Sequence, residues 1–417
     1  MPDLFCGIDF GTSNSTVSLA DADRSWLLPL EDAEVTLPSA VFWDADGAPP
    51  EFGRAAIAAY IRGDDGRLMR SLKSTLGSAL IDEKTAVGGR AVSFHDVLGR
   101  FFGQMKLRID QATGGMTQVM LGRPVHFVDD NAAADHKAQN VLEKIAKAQG
   151  FRDVLFQFEP IAAALHYEQT VRHEELVLIT DIGGGTSDFS IVRVSPDRAR
   201  ASDRADDILA NDGIRVGGTD FDRLLSLAEV MPYLGYLSPT GNGKALMPRH
   251  YYLDLATWHR INFLYTQRIA TDLKALATEA DHPERIARLI RVIAGRHGHS
   301  LAMAVEETKI ALAATDAARL KMSDFTGGPN PVVQRAAFET AVIAPTERVR
   351  HRIADVLAQA GLRPAQIGTV FMTGGSSGLP VLHHAVAQAL PGVPIATGDM
   401  LGSVGAGLAL DARRRFA

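Results

Sequence analysis

Residues 178–192 read LITDIGGGTSDFSIV: an apolar run, an aspartate, three consecutive glycines, and a second run in which apolar and polar residues alternate. The runs on the two sides of the turn predict a β-hairpin. Glycine lets the backbone approach a ligand closely and lets successive amides point into one concavity, where they bind phosphate oxygens. The stretch therefore predicts a phosphate-binding hairpin tip, with Asp181 at the end of its first strand.

A second stretch, near the start of the chain, repeats this pattern. Residues 4–20, LFCGIDFGTSNSTVSLA, combine an apolar strand that reaches Asp9 with a turn containing Gly11, Thr12 and Ser13 and a following strand. A repeated strand, acid and turn indicates two related halves that face one another. Magnesium prefers oxygen ligands and keeps several waters, so Asp9 and Asp181 are predicted to act on a metal–phosphate group through water.

Strands and helices alternate through much of the remaining chain. The patterning predicts a strand within 116–128, a helix over 132–149, and a strand followed by a helix in 154–168, VLFQFEPIAAALHYE. Two further glycine-rich turns, 217–219 and 374–376, lie beside predicted strands or helices. This order predicts an α/β fold. Four such turns in one chain favour a nucleoside triphosphate site in a cleft between two lobes.

Composition narrows the range of partners. The 417 residues are 46% hydrophobic and 22% charged with a net charge of -6, which is ordinary for a globular protein and argues against a nucleic-acid partner. The single cysteine, Cys6, excludes an intramolecular disulfide and is expected to be a buried small residue. No signal peptide or long apolar segment is evident, so a cytoplasmic location without a membrane partner is the expectation.

Six motifs occur in a recognisable order: DFGTSNS, FEPIAAALHYE, DIGGGTSDFS, VGGTDFD, VEETKIAL and MTGGSSGLP. Together they span nearly the whole chain and resemble the ATPase domain of the DnaK-type, seventy-kilodalton heat-shock chaperones. The resemblance implies an actin-like ATPase fold with a duplicated ribonuclease H-like core. It places lobe I at 1–173 (core 1–40 and 114–173, outer subdomain 41–113) and lobe II at 174–417 (core 174–217 and 325–417, outer subdomain 218–324).

The resemblance also implies ATP or ADP and Mg²⁺ as the bound groups, and it gives particular residues roles at the phosphates. Lys73, in RSLKSTLG, would hold the attacking water, although a lone helical lysine is usually just solvated. Glu159 would sense the network of magnesium and water. The implied catalytic residues are Asp9, Lys73, Glu159, Asp181 and Thr186, and the implied phosphate-binding residues are Gly11, Thr12, Ser13, Gly183, Gly184, Gly185 and Thr186.

A second group of residues is implied for the nucleoside. Glu306 and Lys309 would reach the ribose, although two such residues three apart on a helix also pair readily with each other. The residues implied to wall the nucleoside or approach its base are Gly217, Gly218, Gly374, Gly375, Ser376 and Asp399. Ile310 and Gly378 depart from the family, because arginines stand there in its other members, and an apolar adenine site is the resulting expectation.

The ends of the resemblance also carry expectations. Pro124 matches a proline implicated in signalling between lobes, but the arginine expected to follow it has no counterpart in 128–140. Neither an apolar linker nor a β-rich peptide-binding domain is expected, as in short, YegD-like members. A protein partner or client is expected, and residues 232–296 are the candidate surface.

The leading hypothesis is thus an ATP-binding, slowly hydrolysing chaperone-family ATPase that works as a nucleotide-dependent switch. Two alternatives from other classes remain open. One is an actin-like, filament-forming protein, and the other is a small-molecule kinase of the same fold. No separate acid stands out as a base for a substrate hydroxyl, which counts against the kinase.

Overall fold

The computed structural model describes residues 3–76, 78–128, 131–169, 171–201, 203–241, 243–398 and 402–417. Contacts divide the chain into two compact units. Unit 1 comprises Met1–Arg215, Arg350–Ser377 and Val386–Ala417, and unit 2 comprises Val216–Val349 and Gly378–Ala385. The predicted lobe boundaries follow a different principle, the duplication of the core, and they stay a prediction.

Strand and helix alternate over residues 118–182, as the sequence predicts. The strands are β1 (Phe5–Phe10), β2 (Asn14–Ala20), β3 (Ser25–Leu27), β4 (Thr36–Pro38), β5 (Ala40–Asp44), β6 (Glu51–Phe52), β7 (Gly66–Arg70), β8 (Lys84–Val87), β9 (Arg90–Ser93), β10 (Gln118–Arg123), β11 (Asp153–Phe158), β12 (Glu175–Ile182), β13 (Ser187–Val194), β14 (Ile208–Ile214), β15 (Pro239–Thr240), β16 (Ala245–Leu246), β17 (Ala317–Arg319), β18 (Val332–Gln334), β19 (Thr369–Thr373) and β20 (Ile395–Thr397). The helices are α1 (Gly53–Arg62), α2 (Phe94–Thr113), α3 (Ala132–Ala148), α4 (Glu159–Glu168), α5 (Gly218–Glu229), α6 (Arg249–Leu255), α7 (Gln267–Glu279), α8 (Pro283–Ala294), α9 (Gly298–Ala314), α10 (Ser323–Thr326), α11 (Arg335–Ala341), α12 (Ile343–Gln359), α13 (Pro380–Ala389) and α14 (Ser403–Phe416).

Two sheets in unit 1 share one topology. The first has the order β11-β10-β1-β2-β3, with β4 also paired to β2, and the second has the order β14-β13-β12-β19-β20. In each sheet the first strand is antiparallel to the second strand of its hairpin and parallel to a later strand, β10 or β19. The predicted repeat of two hairpins is therefore confirmed as a duplication of the sheet.

The backbone of helix α14 lies directly against the first sheet and against α4, with no side chain between them at two glycines. A Cβ atom added at Gly7 of β1 would lie 2.5 Å from the Ala409 amide nitrogen of α14. A Cβ at Gly407 of α14 would overlap the carbonyl of Ala162 in α4. Glycine is needed where backbones approach this closely. Through these contacts α14 holds in place both the strand that carries Asp9 and the helix that begins at Glu159.

A buried ion network holds the other end of α4. Arg204, in the connection between β13 and β14, donates to both carboxylate oxygens of Glu168 at 2.7 and 2.9 Å, and it also donates to Asp207. The side chains of all three residues are at most 1% exposed. A charge that is buried here has lost its hydration and is stabilised by its partners instead. Removal of one member is therefore expected to destabilise the folded protein.

Unit 2 is mainly helical. The pattern in 272–295 predicts helix, and the structure has α7 and α8 there with a break before Pro283, which begins α8. Proline is favoured at the first turn of a helix because its missing amide hydrogen would have no partner there. None of the helices in the described ranges is long and apolar enough to cross a membrane.

We expect Arg204→Ala to lower the free energy of unfolding by about 3–5 kcal/mol, because it removes the buried cation that pairs with Glu168, while Asp207 keeps its pair with Arg198. The matched control is Arg24→Ala, since the Arg24 side chain is 76% exposed and pairs loosely with Asp21. That change should alter stability by less than about 1 kcal/mol. Urea unfolding of both variants measures the difference, and equal losses would show that the network contributes nothing beyond a surface pair.

Candidate functional site

The glycine-rich turns of the two hairpins, β1–β2 and β12–β13, lie in contact with each other. A Cβ atom at Gly184 would overlap the hydroxyl of Ser13 in the opposite turn, and a Cβ at Gly11 would overlap the carbonyl of Asn14. Gly11 therefore requires glycine because backbone approaches it closely, whereas a side chain at Gly184 would force the Ser13 hydroxyl to turn away. The amide of Gly183 donates to the Thr186 carbonyl at 2.9 Å and closes the second turn. The structure thus brings together the predicted phosphate-binding residues of both hairpins.

Lys73 and Glu159 form a buried ion pair beside these turns. The Lys73 Nζ lies 2.5 Å from Glu159 Oε1, and their side chains are only 13% and 14% exposed. Lys73 is on a short 3₁₀ helix, Leu72–Thr75, which follows Ser71 in the left-handed region at φ 55°. Glu159 is the first residue of α4, directly after β11. The turn and the helix start present the two charges to each other from distant parts of the sequence.

Acidic side chains outnumber cations around this pair. Burial raises the pKa of Asp9 to about 8, and the negative charges of Glu159 and Asp181 add to the effect against the opposing charge of Lys73. Burial likewise raises the pKa of Asp181 to about 6, with Glu159 adding and Lys73 opposing. The two predicted metal-facing acids therefore lie in one electrostatically coupled cluster, where a positive charge would be stabilised.

Lys73 keeps its charge in this setting. Burial by itself lowers the pKa of a lysine, but the carboxylates of Glu159, Asp9 and Asp181 outweigh burial and raise the pKa of Lys73 above its ordinary value. The ammonium group is consequently a fixed positive charge at the centre of the cluster.

Asp188 is a member of the cluster that the sequence analysis missed. It lies directly opposite Asp181 in the β12–β13 register, and Thr186 Oγ1 donates to its Oδ2 at 3.4 Å. Water reaches its carboxylate, yet loss of hydration from the surrounding protein, followed by the charges of Asp181 and Glu159, raises the pKa of Asp188 to about 7. Directly opposed residues of a hairpin place their side chains on the same face of the sheet. The seven-residue spacing from Asp181 to Asp188 across the turn was therefore the signal that could have identified Asp188.

The third turn packs against the second. Gly374 has φ 89°, in the left-handed region, and a Cβ there would overlap Asp181 Oδ1. The Ser376 amide donates to the Ile182 carbonyl at 3.0 Å, and the Ser376 hydroxyl donates to the Gly183 carbonyl at 3.2 Å. Gly375 is exposed. This turn therefore contacts the hairpin that is predicted to bind phosphate.

The candidate ribose residues lie in unit 2, where Lys309 is buried and Glu306 is exposed. Lys309 Nζ lies 2.8 Å from Asp222 Oδ1 of α5 and donates to the Gly218 carbonyl at 3.3 Å. Its partner is thus Asp222, and not Glu306 as the simple helical pairing would have it. Ile310 is 60% exposed on the same helix.

Near the start of α5, the Gly217 amide donates to Asp220 Oδ2 at 3.1 Å. This bond fixes the predicted Gly217–Gly218 turn at the beginning of the helix. Asp399, predicted near the base, lies outside the described residues.

The site fits a magnesium–nucleotide group by its donor chemistry. Carboxylate oxygens are the ligands that Mg²⁺ prefers, and Asp9 and Asp181 supply them at the base of two turns whose glycines leave no Cβ in the way. Within the residues that the structure describes, no group of three or more His, Cys, Asp or Glu side chains is arranged to hold a metal ion alone.

The duplicated α/β core, with a glycine-rich hairpin in each half, is the architecture of the actin-like class of proteins. Comparison with known families makes the assignment specific: the family model described as Hsp70 protein matches residues 72–228 and 295–412. These ranges cover more than half of the chain. The chain therefore belongs to the Hsp70 family, whose members are ATPases with the actin-like two-lobed fold.

One curated relative extends the comparison to nearly the whole chain. This chain is 27% identical over 430 aligned residues to "Chaperone protein HscA homolog" of Pseudomonas fluorescens (strain SBW25), and the alignment covers 98% of this chain and 57% of that protein. The chain thus spans little more than half the length of this relative. The family match does not favour the filament or kinase alternatives, and the segment between its two matched ranges, 229–294, nearly coincides with the 232–296 candidate surface.

We expect Asp9→Asn to stabilise the nucleotide-free protein, and to do so more at alkaline pH. The pKa of Asp9 is about 8 in the folded protein and close to 4 when unfolded, so between these values the folded state holds a proton that the unfolded state has lost. Stability contributed by this site therefore falls as the pH rises from about 4 to about 8. Asparagine removes that dependence.

Thermal unfolding of Asp9→Asn without nucleotide measures this effect. The midpoint should rise by a few degrees near pH 8.5 and change little near pH 5. Asp32→Asn is the matched control, because Asp32 is exposed and its left-handed backbone, φ 48°, suits asparagine. A gain that does not depend on pH would contradict the electrostatic explanation.

Proposed function

We propose that this protein binds Mg–ATP between the two glycine turns of unit 1 and hydrolyses it slowly, as a nucleotide-dependent switch in an Hsp70-type chaperone system. The observation that carries the proposal is the buried Lys73–Glu159 pair, 2.5 Å long, beside Asp9 and Asp181. A structural protein gains little from burying one cation among several acids, since unpaired buried charge is destabilising. A phosphate-transfer site requires such preorganised charge.

Lys73 supplies the fixed positive charge in the proposed reaction. Its ammonium group, held by Glu159, would bind the attacking water and offset the charge that develops on the γ-phosphate. Hydrolysis of ATP needs little covalent assistance from the protein and depends on positioning and charge neutralisation. Holding the lysine by an ion pair keeps it in place before the substrate arrives, so no reorganisation is needed during the reaction.

The carboxylates organise the other side of the phosphate. Asp9 and Asp181 would hold the hydrated ion, and Asp181 would also accept a hydrogen bond from the attacking water. When bound, Mg²⁺ neutralises the phosphate oxygens. Asp188 would set the Thr186 hydroxyl, which donates to it, near the γ-position. Gly184 and Gly185 would offer backbone amides to the phosphates, while the Gly183 amide stays bonded to the Thr186 carbonyl.

The switch itself is proposed from family membership. Closing on ATP and relaxing after hydrolysis would change a surface recognised by a client or partner protein, in the manner of other ligand-driven closures. The segment 232–296, most of which lies between the two ranges that the family model matches, is the proposed surface. The curated relative is named as a chaperone, and a chaperone role is proposed for this chain by similarity to it. A cytoplasmic location is proposed from the sequence.

Lys73→Ala tests the chemical step. We expect single-turnover hydrolysis of ATP to slow about 10²–10³-fold, comparable with the loss of one preorganised charge-stabilising donor, while the Kd for ATP changes much less. Rapid quench with labelled ATP measures the rate, and equilibrium titration with a fluorescent ATP analogue measures binding.

Lys137→Ala is the matched control, because Lys137 is also paired with an acid, Asp82, but is 55% exposed. It should leave both rate and affinity unchanged. Wild-type protein that binds ATP without turning it over would reduce the function to nucleotide sensing. Wild-type protein that binds no ATP would exclude the proposal.

A further inference from the structure

We infer that Ser376 is a positioning residue for the phosphate-binding turn 183–186, rather than only a wall for the nucleoside. The inference rests on the proposed binding of ATP at that turn. Ser376 comes from the turn after β19 and is 5% exposed, and its amide and hydroxyl both bond to carbonyls of unit 1. The inferred role of Ser376 is in binding the phosphates of the nucleotide, rather than its base and sugar.

Both polar groups of Ser376 are directed at the hairpin. Its amide hydrogen bonds to the carbonyl of Ile182 at 3.0 Å, and its hydroxyl to the carbonyl of Gly183 at 3.2 Å. A serine hydroxyl has one hydrogen to donate, and here the Gly183 carbonyl receives it. The same hydroxyl therefore cannot donate to a base or ribose while it holds the turn.

Holding these two carbonyls sets the direction of the next two amides. In a trans peptide the C=O and the following N–H point in opposite directions. With the carbonyls of Ile182 and Gly183 directed at Ser376, the amides of Gly183 and Gly184 point away from it. The Gly183 amide does so and reaches the Thr186 carbonyl at 2.9 Å. Because that bond occupies the Gly183 amide, the amide whose direction the Ser376 hydroxyl sets for a bound phosphate is that of Gly184.

Neighbouring contacts limit how far the turn could adjust by itself. Ser13 lies against Gly184 on one side, and Gly374 of the third turn lies against Asp181. Three consecutive glycines have more backbone freedom than any other tripeptide, so an unsupported turn would lose entropy on binding phosphate. Ser376 reduces that loss by fixing two of the peptide planes in advance.

The test compares ligands that contain different parts of the nucleotide. For Ser376→Ala, we expect the Kd values of ATP and of pyrophosphate to rise about tenfold, because the Gly183–Gly184 peptide is no longer held by the hydroxyl. The Kd of adenosine should change less than about twofold. Ser376→Thr keeps the hydroxyl and should restore most of the affinity for both phosphate ligands.

Isothermal titration with magnesium present measures all three ligands on the same preparation, and circular dichroism shows whether the variant is folded. Ser190→Ala is the matched control, since Ser190 is also buried and its hydroxyl bonds to Asn211 Oδ1 at 2.7 Å, away from the third turn. It should bind all three ligands like the wild type.

Two results would overturn the inference. Equal weakening of ATP and adenosine by Ser376→Ala would make the serine a nucleoside contact, and unchanged binding of every ligand would leave it no positioning role. Wild-type protein that binds neither ATP nor pyrophosphate would instead remove the proposed function. Wild-type binding together with an unselective Ser376→Ala effect would remove the inference alone.

Discussion

The ion pair between Lys73 and Glu159 is the constraint on which the site depends. A single ammonium group serves several carboxylates, and its removal would leave all of them in a poorly hydrated place with no compensating charge. The pair also joins two distant parts of the chain, a 3₁₀ turn before the first long helix and the start of α4. The raised pKa values of Asp9, Asp181 and Asp188 express the acid excess that remains.

The duplicated hairpins are alike in backbone and different in charge. In the first hairpin Asp9 is opposite Thr16, whereas in the second Asp181 is opposite Asp188. The equivalent cross-strand position thus carries a hydroxyl in one half and an acid in the other. Because opposed side chains share a face, this substitution makes the second hairpin the more acidic half. The two hairpins thus share one backbone geometry and differ in the charge of the side chains at equivalent positions.

The two hairpins, their acids and the α/β order could be predicted from the sequence, because short-range patterning determines strands and turns. Lys73 could be identified only by resemblance, since its partner Glu159 is 86 residues away along the chain. The Lys309–Asp222 pair escaped prediction because helical spacing suggested a nearer partner, Glu306. Side-chain choices of this kind depend on tertiary packing, which local sequence patterns do not contain.

The arginines near residue 414 illustrate the same limit and help to explain how the two sheets are held. From sequence they are a small basic cluster of no evident purpose. In the structure Arg413 donates to the carbonyls of Asp21 and Ala22 beside the first sheet, and Arg414 donates to the Ala199 carbonyl in the connection of the second. Both arginines extend from α14, the helix that also packs on β1 and α4. One helix therefore supports the strand behind Asp9 and the helix that begins at Glu159 while it ties down loops of both sheets. The positions of the charges around Lys73 accordingly depend on packing against α14, which contacts β1 at Gly7 and α4 at Ala162.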